Sequence, residues 1–311
     1  MPVTVKSSSE IKILKEGGRR LAAIRDELAR CVVAGTSAQD IEDTATKLFA
    51  ASGGEPSFLN YRGRKQEKPF PACVCVSVND AIVHGLPRPD IVFKDGDVVG
   101  VDVGLKFNGL YTDTAVTMIV KDSRFPPEHY RRAGRTPACA ETASAGRQDS
   151  RIEKGKEDEK GRLVQVTKDA LAVGIAAARA GATTGDIGFA VEQFVKSRGA
   201  YGIVRTLCGH GVGYAVHEEP QVPNFGKNGE GVALKAGMVL AIEPMLTLGG
   251  EKLVLDSDGF TFRTADGSLS AHFEHTIAVT EKGAEVLTQE LGQVTEKLER
   301  NVPVTCSRYT F

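Results

Sequence analysis

The 311-residue chain lacks the features that mark several protein classes. No apolar run approaches the roughly 20 residues that cross a bilayer, and Met1-Pro2-Val3-Thr4-Val5-Lys6 has no apolar secretory core. Neither sign of charge dominates: 39 Lys and Arg stand against 40 Asp and Glu, which leaves no basic footprint for nucleic acid and no acidic tail. The six cysteines show no paired spacing beyond Cys73-Val74-Cys75, so they read as free thiols in a reducing compartment rather than a disulfide framework. These absences point to a cytoplasmic enzyme with neither a membrane nor a nucleic-acid partner. Its length suffices for one large mixed α/β or α+β domain or two smaller ones.

What is present centres on residues 100–115, where two alternating apolar runs flank Asn108-Gly109. Asn-Gly is the strongest short hairpin signal, because both residues accept the positive φ of a type I′ turn. A two-residue loop pairs Phe107 with Leu110, Gly104 with Asp113 and Asp102 with Ala115. Asp102 and Asp113 then share one face, with stems roughly 7 Å apart on a diagonal. Two carboxylates so placed repel unless solvated or bridged by cations, and on this stretch alone both readings stand.

Upstream, residues 8–33 carry apolar residues at helical spacing, with Gly17-Gly18 a candidate interruption; Ser37 caps a second helix to about Ala51. Residues 53–71 read as a loop and 72–78 as a strand, followed by a turn bearing His84. A lone histidine in such a turn is more often structural than functional. Residues 122–163 hold almost no apolar residues outside their edges, and a mobile surface insertion is expected there, with the charge run Arg151–Arg162 solvated. Helices are expected from about Leu163 to Arg179 and from Thr184 to Ser197.

The chain then echoes itself. Residues 34–41 (AGTSAQDI) return as 180–187 (AGATTGDI), each between two helices, and 93–102 (FKDGDVVGVD) return as 234–243 (LKAGMVLAIE). The second register sets Asp102 opposite Glu243, and a looser match sets His84 against His217. Two related halves would bring these groups to a central cleft. Further candidates are His210, set among glycines in Cys208–Gly213, and Glu274, which shares a strand face with His272 and Thr276. Asp102, Asp113, His210, Glu243 and Glu274 would make a site of four carboxylates and one imidazole. Such a set suits Mn(II), Fe(II) or Co(II) and admits Zn(II).

With these motifs the sequence resembles the bacterial type I methionine aminopeptidases, over nearly the whole chain apart from 122–163. The resemblance implies the α+β pita-bread fold, with pseudo-twofold halves and a curved antiparallel sheet covered by helices, in one catalytic domain spanning 1–311. It implies two divalent ions (Co, Mn, Fe or Zn) on Asp102, Asp113, His210, Glu243 and Glu274. It further implies Glu243 as proton acceptor, His84 and His217 on the substrate and reacting centre, and a methionine pocket on Tyr61, Cys75, His84 and Phe260. The substrates would be nascent chains with N-terminal Met and a small second residue, handled by a monomer in proximity to the ribosome. Three residues depart from the family: Phe58 and Arg64 at the pocket rim, and His272 where glutamine is usual. The alternatives are a proline-specific pita-bread peptidase, which generally carries an extra N-terminal domain, and a non-catalytic binding protein, which the full ligand set argues against.

Overall fold

A computed structural model of the chain describes residues 3–63, 68–121 and 149–289, without the side chains of 149–157. Arg64 and the 122–148 part of the expected insertion lie outside the described residues. In chain order the elements are α1 (Ser8–Cys31), α2 (Ala38–Ser52), β1 (Glu55–Pro56), β2 (Val74–Val78), β3 (Ala81–Val83), β4 (Val98–Phe107), β5 (Leu110–Ile119), α3 (Asp149–Ala177), α4 (Thr184–Arg198), β6 (Gly202–Ile203), β7 (Gly209–Gly211), β8 (Glu218–Val222), β9 (Val239–Ile242), β10 (Met245–Thr247), β11 (Leu253–Leu255), β12 (Phe262–Thr264), β13 (Ser270–His272), β14 (Glu274–Val279) and β15 (Ala284–Val286).

Two expectations need correction. The first helix is continuous through Gly17-Gly18. These glycines let it lie close on the sheet: a Cβ on Gly18 would sit 2.4 Å from the Leu287 carbonyl oxygen. The third helix begins at Asp149, not near Leu163, so the charge run forms its first half. Helix formation needs only one packed stripe, and Leu163, Val166 and Ala170 supply it further along, while Lys160 anchors the run by donating to the Gly96 carbonyl.

The 100–115 hairpin has the expected register, Asp102 opposite Ala115 and Gly104 opposite Asp113, with Asn108 and Gly109 at φ 48° and 83°. It lies within a nine-stranded sheet ordered β1-β4-β5-β14-β9-β7-β8, with β2 also on β4 and β15 on β14. One face of β4, Val99, Val101, Val103 and Leu105, packs under α1 and α2. In the second half Leu240 and Ile242 of β9 pack under α3 and α4.

The internal echo is structural. Gly35 N donates to Phe93 O (2.9 Å) as Gly181 N donates to Leu234 O (3.0 Å), and the isolated bridge Ser37–Val92 matches Thr183–Ala233. Both capping boxes, Ser37 with Asp40 and Thr183 with Asp186, start the helix at the same place in each repeat. Asp102, midway along β4, and Glu243, immediately after β9, thus occupy equivalent stations of the two repeats on the face away from the helices.

Candidate metal centre

Cross-strand partners share a face, so register alone traces the site across the sheet. Cys75 pairs with Asp102, Asp102 with Ala115, and Ala115 with Glu274. In the neighbouring row Thr276 pairs with Ala241, and Ala241 with His210. Asp113 shares the face through its pairing with Gly104. The helix-covered face takes the large aliphatic residues; the opposite one collects the carboxylates and the imidazole.

Threonine hydroxyls join the two halves where β5 meets β13 and β14. β5 and β14 share only two registered pairs. Beyond them, Thr276 Oγ1 accepts from Asp113 N (2.8 Å) and donates to Asp113 O (2.7 Å). Thr117 Oγ1 likewise accepts from His272 N (3.0 Å) and donates to His272 O (2.6 Å). Each hydroxyl stands in for a missing backbone pair. Thr114 Oγ1 donates to Glu274 O (2.8 Å) and accepts from buried Arg25 of α1 (2.8 Å), fixing the third junction.

A cavity of about 270 Å³ opens over this face, with Asp102, Asp113, His210, Glu243, His272 and Glu274 on its floor. Donor atoms of Asp113, His210 and Glu274 lie within 4.8 Å of one another. Glu243 sits between two imidazoles, Oε1 3.5 Å from His210 Nε2 and Oε2 3.4 Å from His272 Nε2. His210 Nδ1 lies 3.0 Å from the Gly211 carbonyl, which can only accept, so Nδ1 donates there and Nε2 is the nitrogen turned toward Glu243.

Several buried polar atoms here make no hydrogen bond within the protein: Asp102 Oδ1, Asp113 Oδ1, Glu274 Oε1 and His272 Nε2, the last with only the 3.4 Å approach of Glu243. Burial pushes the Asp102 carboxyl up to about 7. Burial and then the neighbouring carboxylates raise Asp113 and Glu274 well above the usual range. A converging set of hard oxygen donors and one oriented imidazole, too costly to leave ionised alone, fits divalent cations.

The other expected residues fall around the opening. His84 follows β3 with φ 58°, its pKa lowered to about 4 by burial, so it is neutral at physiological pH. His217 precedes β8, 4.4 Å from His210 between ring centroids, and its Nδ1 is 2.6 Å from the Tyr61 hydroxyl. Cys75 and Phe58 line the cavity. Phe260 does not: it stands one layer back, edge-on to Phe70 at 5.5 Å, and Phe70 faces the cavity in front of it. Phe70 and the three threonines went unrecognised in the sequence. Thr276 alone left a trace there, as the neighbour of Glu274 on its strand face.

The chain matches the model of metallopeptidase family M24 over residues 12–281, and it belongs to that family. Its architecture is the pita-bread fold of the solved members: the prolidase of Pyrococcus furiosus superposes with a TM-score of 0.62 over 92% of this chain and 66% of its own, at 19% identity. Within the family it groups with the bacterial methionine aminopeptidases. The methionine aminopeptidase of Aquifex aeolicus is 37% identical, over 93% of this chain and 100% of its own length. The crystal structure of the methionine aminopeptidase of Thermotoga maritima has a TM-score of 0.78 at 37% identity, covering 93% of this chain and 100% of that one.

Proposed function

We propose that this chain is a metal-dependent methionyl aminopeptidase that removes Met from nascent chains whose second residue is small. The observation that carries this reading is the cluster of partnerless carboxylate oxygens at the floor of a cavity walled by Phe58, Tyr61, Phe70, Cys75 and Val83. That wall, apolar and polarisable, suits an unbranched thioether side chain.

Asp102, Asp113, His210, Glu243 and Glu274 would hold the ions. Four carboxylates balance two dications, and the mixed oxygen and nitrogen donors favour Mn(II), Fe(II) or Co(II), with Zn(II) also accommodated. Ions bound there supply Lewis acidity toward the scissile carbonyl and lower the pKa of water. Glu243 takes the proton of the attacking water and delivers it to the leaving amine. His217, held by Tyr61, donates to the oxygen on which negative charge develops, and neutral His84 fixes the substrate backbone. Because the reacting carbonyl lies at the cavity floor, a bulky second side chain would meet the wall. Both halves contribute ligands, so the whole chain acts as one catalytic domain, a monomer in the cytoplasm close to the ribosome. No helix among the described residues is long and apolar enough to cross a membrane.

Release of methionine from Met-Ala-Ser and Met-Leu-Ser peptides under Mn(II), Fe(II), Co(II) and Zn(II) tests the reading. The expected result is cleavage of the first, little of the second, and loss with chelator or Glu243→Ala. No release under any of the four metals overturns it, and cleavage of Ala-Pro instead would assign a proline-specific peptidase.

A further inference from the structure

Outside the cavity, the most deeply buried ion pair among the described residues joins the N-terminal segment to the residue after His217. Lys6 Nζ lies 2.7 Å from Glu218 Oε2, and their side chains are 1% and 0% exposed. A buried carboxylate is costly unless every lone pair is used, and here all are engaged. Oε2 accepts from Lys6 and from Thr4 Oγ1 (2.6 Å), and Oε1 accepts from the backbone N–H groups of Tyr214 and Ala215 (3.0 Å for the latter).

Glu218 thus closes the 214–218 turn from inside with its own carboxylate. Burial pushes that carboxyl up, yet the hydrogen bonds and charge of Lys6 and Thr4 hold it below its ordinary value, so it is ionised. His217 and Glu218 are adjacent at the mouth of an extended strand, where successive side chains point to opposite sides. His217 reaches the cavity; Glu218 reaches the N-terminal segment. That segment is itself tied down: Lys6 N donates to Gly237 O (2.8 Å), and the Tyr214 hydroxyl donates to Glu10 Oε1 (2.7 Å).

We infer that residues 4–10 form a latch, and that Lys6 is a positioning residue that sets the His217 imidazole over the reacting centre through Glu218. This rests on the reading of His217 as a group that contacts substrate. Without the Lys6 charge, Glu218 has to turn toward water or take a proton, and either releases the two backbone N–H groups that shape the turn. His210 and the carboxylates belong to other strands, so ion binding stays intact while His217 is displaced.

The test is Lys6→Met in the full chain, beside Lys6→Arg, His217→Ala and the double variant. Lys6→Met should lower kcat by about tenfold or more on Met-Ala-Ser, with Mn(II) affinity by calorimetry within twofold of wild type and partial rescue in Lys6→Arg. On the His217→Ala background the same change should cost nothing further, whereas a general loss of packing would lower both backgrounds alike. Histidine side-chain NMR gives a readout independent of turnover: the His217 resonance, assigned by its loss in His217→Ala, should move in Lys6→Met while that of His275, held by Thr288 on the helix-covered face, stays. An unmoved His217 resonance or an equal loss on both backgrounds overturns the latch, and a wild type without peptidase activity overturns only the proposed reaction. Should Lys6→Met not fold, Thr4→Val removes one donor to Glu218 and is judged by the same His217 shift, whose absence is equally fatal.

Discussion

Chelation should make the protein lose stability as pH rises above neutrality, a fall that metal-loaded protein should not show. Asp113 and Glu274 are 4% and 2% exposed, and without a cation burial raises both carboxyls well above the usual range. A carboxyl whose pKa is higher folded than unfolded lends stability that is complete below its unfolded value, near 4, and lost as pH rises through its folded value. Buried histidines act in the other direction. His84 and His275, lowered by burial to about 4 and about 3, contribute above the unfolded histidine value near 6.5 and lose that contribution as pH falls. The two effects oppose each other below about pH 6.5, so the informative window is roughly pH 6.5 to 8.5. There the folded histidines are neutral and the unfolded ones become so over the first unit, and each carboxyl protonated only when folded tilts stability by about 1.4 kcal/mol per pH unit. For each such proton the melting midpoint falls by roughly 3 to 5 °C per unit. Far-UV circular dichroism melts of chelated and Mn(II)-loaded protein across the window read this directly. The loaded form should show no such fall, and Asp113→Asn should flatten the chelated slope by one proton's worth. A chelated midpoint constant from pH 6.5 to 8.5 would refute the assignment of trapped protons to these carboxyls.

Three further outcomes follow from the geometry. A residue inserted between Asn108 and Gly109 shifts the returning strand so that Asp113 faces the helices, and calorimetry should then find Mn(II) binding lost although no ligand is changed. Thr276→Val keeps shape but strands Asp113 N–H and C=O, so urea titration should show a loss of about 1–3 kcal/mol and Mn(II) affinity should fall with it. Gly18→Ala drives a methyl into the Leu287 carbonyl and should destabilise by about 1–3 kcal/mol, with metal affinity unchanged because the contact is on the helix side.

The parts legible in the sequence were those written in local chemistry. Asn108-Gly109 fixed its own turn, and period-two alternation then placed Asp102 and Asp113 on one face. Ser37 and Thr183 marked their helix starts because a cap needs only the next three residues. The repeat added long-range information, pairing Asp102 with Glu243 across more than a hundred residues. What escaped was set by packing between distant segments. Gly17-Gly18 read as a break because nothing local reveals that a strand end presses there. The 149–162 run showed no helix in the sequence because its anchoring, through Lys160 to Gly96, joins parts of the chain far apart in sequence. Phe70 stands in front of Phe260 for the same reason: which of two aromatic rings faces a cavity is decided by tertiary stacking.

The threonine junction has a consequence for when a metal could be captured. The candidate ligands straddle a joint, so an ion bound there acts as a rivet between the two repeats. During synthesis the first repeat emerges bearing Asp102 and Asp113 but no imidazole ligand, and no seam for Thr117 to complete. Only when the strand from Ser270 onward has been made can Thr276 and Glu274 close the face. Metal capture is then a late event, a sign that the chain has been finished and its halves correctly joined.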